Sequence, residues 1–313
     1  MIHRLIGGAA AVLLLASCGE ATIPQGPSTE EPSSTAPFPV TIEAANGEVT
    51  IAQRPRRIVS LSPTSTEMLF AIGAGDQVEA VDDQSNHPSD APVTDLSGFE
   101  PNVEAIASYG PDLVVYSTEP GDLDSALDGL GIPALQQPAA AVLHDVYEQL
   151  EELGVATGNV SEAEVVVDRM RAEIRSIAAS IEPPSEPVTY YHELDDTYYS
   201  VTSSTFIGQL YSLVGLRNIA DEAKGAGGGY PQLSAEYIVD ADPDLIFLAD
   251  TKCCGQSPRT VARRPGWARI AAVENGGVIP LDDDVASRWG PRVVDYLRRI
   301  AEAVADVLEA KAA

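Results

Sequence analysis

The sequence predicts an α/β protein of two doubly wound lobes with mainly parallel sheets, joined by one long rigid helix and facing each other across a cleft. Three observations carry this expectation. A short pattern occurs twice: Asn102-Val103-Glu104-Ala105-Ile106 leads to Pro111-Asp112-Leu113-Val114, and Ser234-Ala235-Glu236-Tyr237-Ile238 leads to Pro243-Asp244-Leu245-Ile246, with Glu and Pro seven residues apart each time. Around each copy, short apolar runs alternate with helical stretches over short connections, as in parallel βαβ units. Between the copies a helical pattern of roughly 22 residues would extend about 33 Å, long enough to join two lobes.

Taken in order, the chain begins with a signal segment at 1–17: His3 and Arg4 precede an apolar run from Ala9 to Leu15 that is too short to span a bilayer. Leu15-Ala16-Ser17-Cys18-Gly19 resembles the processing site of bacterial lipoproteins. That resemblance implies lipidation of Cys18 and an extracytoplasmic protein held to the cell membrane, since several acyl chains anchor firmly where one binds marginally. A flexible tether is expected over 18–54, its Pro-, Ser- and Thr-rich part running from Gly19 to about Pro39 with too few apolar residues to offset the entropy of ordering.

The N-terminal lobe is expected over 55–160, with strands at Arg57 to Leu61, Val78 to Val81, Leu113 to Tyr116 and Ala134 to Gln137. Its helices are Thr64 to Ile72, stopped by Gly73, then Val103 to Tyr109, Asp122 to Leu130 and Val142 to Leu153. An interlobe helix follows at 161–184, opened by a capping box of Ser161 with Glu164 and ended by Pro183-Pro184. One face carries Val166, Met170, Ile174, Ile177 and Ile181. The C-terminal lobe, 185–313, has expected strands at Val188 to His192, Tyr199 to Thr202, Leu245 to Leu248 and Val278 to Leu281, and helices at Phe206 to Val214 and Pro291 to Glu309.

Composition narrows the function. With 47 acidic and 19 basic residues the net charge is -28, which excludes nucleic acid as a partner because phosphate binding needs Lys and Arg. The chain has no G-x-S-x-G elbow, no H-E-x-x-H and no phosphate-binding glycine loop, so no enzyme is expected. His87, His144 and His192 do not fall into a ligand spacing, and no metal site is assigned. Lipidation of Cys18 leaves Cys253 and Cys254, adjacent in sequence. They are a disulfide candidate, with two free thiols or soft metal ligands as the alternatives; a bond between neighbours is strained, because their Cα atoms are only about 3.8 Å apart.

Open α/β sheets bind ligands beyond the carboxyl ends of their strands. That rule selects as ligand-binding candidates Ser62, Pro63, Gln84, Phe99, Ser203, Tyr230, Cys253, Cys254, Arg288 and Trp289: hydroxyls, aromatics, one cation and the Cys pair. They suit a bulky, partly polar ligand.

Arg57-Ile58-Val59-Ser60-Leu61-Ser62-Pro63-Thr64-Ser65-Thr66-Glu67, Asn102-Val103-Glu104, Pro111-Asp112-Leu113-Val114, Tyr230-Pro231-Gln232-Leu233-Ser234-Ala235-Glu236 and Ser287-Arg288-Trp289-Gly290-Pro291-Arg292 together resemble the helical-backbone (class III) periplasmic substrate-binding proteins of ABC importers, in lipoprotein form. The match is strongest to the cobalamin branch and extends from roughly Pro55 to the C-terminus. It implies a monomeric receptor without a cofactor of its own, which carries a small-molecule metal chelate, a corrinoid or ferric siderophore, to a permease. Haem and a bare transition-metal ion are the alternatives. It also implies that Glu104 and Glu236 dock onto permease arginines. Departures from the cobalamin pattern are Asp83-Gln84-Ser85 and Ser117, where aromatics are expected, and the Cys253-Cys254 pair. Substituting Cys18→Ala is expected to move the protein from the membrane to the soluble fraction, as cell fractionation would report.

Overall fold

The computed structural model describes residues 38–118, 121–181 and 186–312. The signal segment, Cys18, the Pro/Ser/Thr-rich run as far as residue 37, and Pro120, Pro183 and Pro184 lie outside the described residues. No helix among the described residues is long and apolar enough to cross a membrane.

The described chain opens with strands β1 (Val40–Ala44) and β2 (Gly47–Ile51), an antiparallel hairpin. This corrects the expectation that the tether continues to residue 54. Ile42, Val49 and Ile51 alternate with exposed residues and enter the main core, so this stretch buries enough apolar surface to be ordered. At the hairpin turn the Asn46 amide donates to Ala134 O (3.0 Å) and accepts from Gln136 N (3.1 Å), covering an edge strand of the sheet that follows.

That sheet is formed by β3 (Ile58–Leu61), β4 (Val78–Val81), β5 (Leu113–Tyr116) and β6 (Ala134–Gln136), with helices α1 (Pro63–Ala71), α2 (Val103–Ser108) and α3 (Leu123–Gly129) between them. Two helices then carry the chain across: α4 (Leu143–Thr157) and α5 (Val160–Ser180). The second lobe opens with β7 (Thr189–Glu193), α6 (Phe206–Leu213), β8 (Arg217–Asn218), α7 (Ala235–Ala241) and β9 (Leu245–Leu248). After it come short α8 (Pro258–Val261) and α9 (Ala271–Glu274), then β10 (Val278–Pro280), α10 (Asp283–Ser287) and α11 (Val293–Ala312).

All pairings in both sheets are parallel, and their orders are β4-β3-β5-β6 and β10-β9-β7-β8. Numbered within each sheet, both orders are 2-1-3-4. The repeated sequence motif is therefore a repeated topology, with β5 and β9 in the equivalent third position. Each of these strands is four apolar residues, all buried, as expected where helices cover both faces.

The motif is built alike in both lobes. Asn102 caps α2 by accepting from Ala105 N (3.0 Å), and Ser234 caps α7 by accepting from Tyr237 N (3.2 Å). Ile106 and Ile238 bury the inner face of each helix, leaving Glu104 and Glu236 exposed on the first turn. The Pro-Asp step does more than stop the helix. Asp112 accepts from Arg56 N and Arg57 N, and Asp244 from Thr189 N, so each aspartate ties the start of its strand to the entry of the neighbouring central strand.

Two expectations change here. Tyr199–Thr202 joins no sheet; it pairs with residues 229–232 through Ser200 N to Pro231 O and Thr202 N to Gly229 O, while β8 takes the second position in the sheet. Nor does Ser161 start the long helix. Gly158, at φ +74°, ends α4, and α5 resumes at Val160 after Asn159, whose side chain binds Ile72 O and Arg54 Nη2, both at 2.8 Å. Val166, Met170 and Ile174 of α5 share one continuous core with Tyr296, Leu297 and Ile300 of α11 and with residues of both sheets. Ile51→Ala is expected to destabilise the protein by about 2–5 kcal/mol in urea unfolding, where a tether position would show almost no effect.

Candidate functional site

The first lobe presents its strand ends through α1 and two loops. Ser62 is the buried N-cap of α1, its hydroxyl accepting from Ser65 N, and Pro63 takes the first helical position, where its missing N–H is no loss. Gly98 packs so tightly over the ends of β3 and β4 that a Cβ there would meet Leu61 O at 2.5 Å and Asp82 Oδ2 at 2.8 Å. The next residue, Phe99, is 75% exposed. Beside it Asp82 is buried with Oδ1 unpartnered, and desolvation raises its carboxyl above the ordinary value.

In the second lobe the segment from Gly229 to Leu233 lies along 198–202, and sets Tyr230, 53% exposed, beside the start of α6. Ser203 is bound to Asp221 through both its N–H and its hydroxyl, at 2.8 Å each. Cys253 and Cys254 are exposed free thiols with sulfurs 2.6 Å apart, so the disulfide candidate is not a bond in this structure.

Arg288 and Trp289 sit where the lobes meet. Glu67 of α1 is buried and accepts from Arg288 Nη1 (2.8 Å) through Oε1 and from Arg292 Nε (2.8 Å) through Oε2. Arg288 also donates to Gln84 O (2.9 Å), Asn86 Oδ1 (3.0 Å) and Asp284 Oδ1 (3.1 Å). Its guanidinium is thus committed to four protein acceptors, and the Gln84 contact is made by the backbone. Trp289 Nε1 donates to Gln149 Oε1 (2.9 Å), Asn86 Nδ2 to Asp284 Oδ2 (3.1 Å) and Gln209 Nε2 to Ala141 O (2.9 Å), completing the seam.

Sequence reasoning missed a charged cluster at the ends of β7 and β9. Glu193, fully buried, is held bidentately by Arg264 at 2.6 Å on each arm, and the guanidinium lies 4.5 Å from the Trp267 ring centre. Asp250 is also fully buried, and neither of its oxygens has a donor, because a facing carboxylate can only accept. Burial, then the charge of Glu193, raises the Asp250 carboxyl from 3.8 to about 7; with its proton retained, Asp250 becomes the donor. The available signal was two acidic residues, each closing an apolar strand.

The three histidines do not form a site. His192 is buried, with Nδ1 2.8 Å from the Tyr211 hydroxyl, and burial lowers its pKa to about 3, while His87 and His144 are exposed. Among the described residues no three His, Cys, Asp or Glu could hold a metal ion. Concavities of about 540 Å³, bordered by Asn46, Asp124 and Pro133, and about 520 Å³, bordered by Arg54, Arg56 and Gln77, open at the amino ends of the strands. They lie away from the strand ends where an open α/β sheet takes its ligand.

Residues 58–285 match the family model described as periplasmic binding protein. The chain is 30% identical over 304 residues to an uncharacterized ABC transporter substrate-binding lipoprotein, YvrC, of Bacillus subtilis, covering 94% of each chain. It is 31% identical over 311 residues to a cobalamin-binding protein of Halobacterium salinarum, covering 94% of this chain and 82% of that one. Among solved structures, the periplasmic vitamin B12 binding protein BtuF of Vibrio cholerae matches with a TM-score of 0.66 at 23% identity, over 81% of this chain and 98% of that one. The periplasmic heme-binding protein RhuT of Roseiflexus sp. RS-1 matches with a TM-score of 0.70 at 24% identity, over 81% of this chain and 99% of that one.

The Asp250 environment sets a pH dependence. Between 3.8 and about 7 the unfolded chain has lost this proton and the folded protein keeps it, so stability falls as pH rises through that window; above it the full penalty is present. Asp250→Asn is expected to remove this part of the slope and to raise the urea midpoint at pH 8 relative to the unsubstituted protein, with little change at pH 4.

Proposed function

The chain belongs to the periplasmic binding protein family, and on that premise we propose that it is a lipid-anchored extracytoplasmic receptor, without catalytic activity, that captures a corrinoid or ferric siderophore and delivers it to an ABC importer permease. The observation that carries the delivery half is the pair Glu104 and Glu236, exposed on the first turns of equivalent helices in two lobes of the same strand order. Two carboxylates at matching places on a duplicated frame suit a two-fold partner bearing cations. Such rim pairs supply modest affinity, and act mainly on register and on-rate.

The capture half rests on the exposed aromatics Phe99 and Tyr230 at the carboxyl ends of the strands, with Ser62, Pro63, Gln84 and Ser203 around them and Arg288 and Trp289 in the seam below. Flat aromatic faces with hydroxyl and amide neighbours suit a large, partly polar chelate. The 31% identity to a protein named for cobalamin binding favours the corrinoid. A bare metal ion and haem gain less support, because His192 is sealed in the core and no group of three ligating residues occurs among the described residues. Lipidation of Cys18 would keep the receptor beside its importer.

Excess cyanocobalamin is expected to raise the melting temperature of the purified protein, since a ligand at 100 times its Kd stabilises by about 2.7 kcal/mol; ferrichrome tests the siderophore arm. Stabilisation by neither would remove the capture reading. The Glu104→Ala, Glu236→Ala double variant is expected to keep the parent's ligand affinity and lose uptake in cells. Normal uptake by that variant would remove the docking reading.

A further inference from the structure

The loop after β9 has features that ligand capture does not require. Thr251 N, Lys252 N and Cys253 N all donate to the Asp283 carboxylate at 2.9–3.0 Å, and Cys254 N donates back to Asp250 O at 3.3 Å. The backbone leading into the Cys pair and through it is therefore held in place, and the sulfurs lie 2.6 Å apart, exposed to solvent. Two neighbouring thiols on a free loop would point apart in most conformations; these are held together by a carboxylate from another helix.

We propose that Cys253 and Cys254 are a site of reversible oxidation, a vicinal dithiol that closes to a disulfide by exchange with a small-molecule disulfide. Both S–H bonds break and one S–S bond forms; the small-molecule disulfide R–S–S–R accepts the two electrons and two protons and leaves as two R–SH. The sulfurs already face each other, so closure needs no long-range movement of the chain, and the strain of a bond between neighbours makes that bond readily reduced again. An extracytoplasmic location supplies the oxidising surroundings in which such a bond persists.

The placement gives the bond a consequence. Lys252, next to the pair, binds Asp282 Oδ1 (2.8 Å) and Asp284 Oδ2 (2.7 Å), and Asp284 in turn binds Asn86 and Arg288 at the seam. Oxidation therefore acts one residue from Lys252, whose partner Asp284 accepts from Asn86 of the first lobe. The inference needs no particular ligand in the cleft.

The test equilibrates the purified protein with glutathione from fully reduced to fully oxidised, quenches with N-ethylmaleimide, and maps the tryptic peptide that carries both cysteines. The expected result is two alkylated thiols at the reduced end and none at the oxidised end, with the peptide lighter by two hydrogens and free of glutathione. Cys254→Ser should instead accumulate a stable mixed disulfide at Cys253, because no second thiol can displace the glutathione. Two alkylatable thiols at every ratio, or glutathione adducts or covalent dimers as the sole oxidised products of the unsubstituted protein, would overturn the proposal.

Discussion

Glu67 lies buried at the seam between the lobes with a guanidinium on each carboxylate oxygen, and the relation of the two sheets depends on it. Three charges drawn out of water need compensation: Arg288 and Arg292 outnumber Glu67, and Asp284 restores the balance from the other side of Arg288. The hydrogen bond that Arg292 donates to Glu67 favours the charged form of Arg292. A buried group of this kind adds modest net stability against an apolar substitute, yet removing one member typically costs about 3–5 kcal/mol because the remainder is stranded. Its contribution is to make one interlobe arrangement far better than its neighbours. Gln149 with Trp289, Asn86 with Asp284 and Gln209 with Ala141 then align along that seam.

Behind the seam the lobes are not two bodies on a stalk. The core that includes Met68 and Leu69 of α1 runs through Leu150 and Leu153 of α4 and Met170 of α5 to Leu297 and Ile300 of α11 and Phe247 of β9. Close packing of this kind resists bending, since opening the lobes would separate apolar surfaces as well as break ion pairs. Asp112 and Asp244 extend the same order outward, each closing a strand entry next to the helix that carries an exposed glutamate.

Local pattern made much of this legible. Leu113 to Tyr116 and Leu245 to Leu248 are unbroken apolar runs, and the duplicated spacing of Glu and Pro-Asp points to a duplicated topology. Val166, Met170 and Ile174 likewise marked the buried face of α5. What stayed hidden depends on distance or brevity. The hairpin follows a Pro- and Ser-rich stretch and alternates apolar residues with Thr and Glu, so it resembles more tether; β8 is two residues long, too short to show a period. Glu67 and Arg292 are 225 residues apart, and no local rule pairs them. At the candidate site, Phe99 and Tyr230 follow from the rule that loops after strands face the ligand, whereas the proton on Asp250 follows from which strand lies beside β9.

The core that the two lobes share also bears on how this molecule presents itself. Glu104 and Glu236 stand on helix starts rooted in Ile106 and Ile238, each packed beneath its own sheet, and the sheets are fixed to each other through α4, α5 and α11. Their separation is a property of the folded chain, like the gap between the pins of a plug. A partner that read both at once would meet a gauge set by the fold of this chain. On the proposed reading, telling a full receptor from an empty one would fall to the rim of the cleft, where Phe99 and Tyr230 stand exposed to solvent.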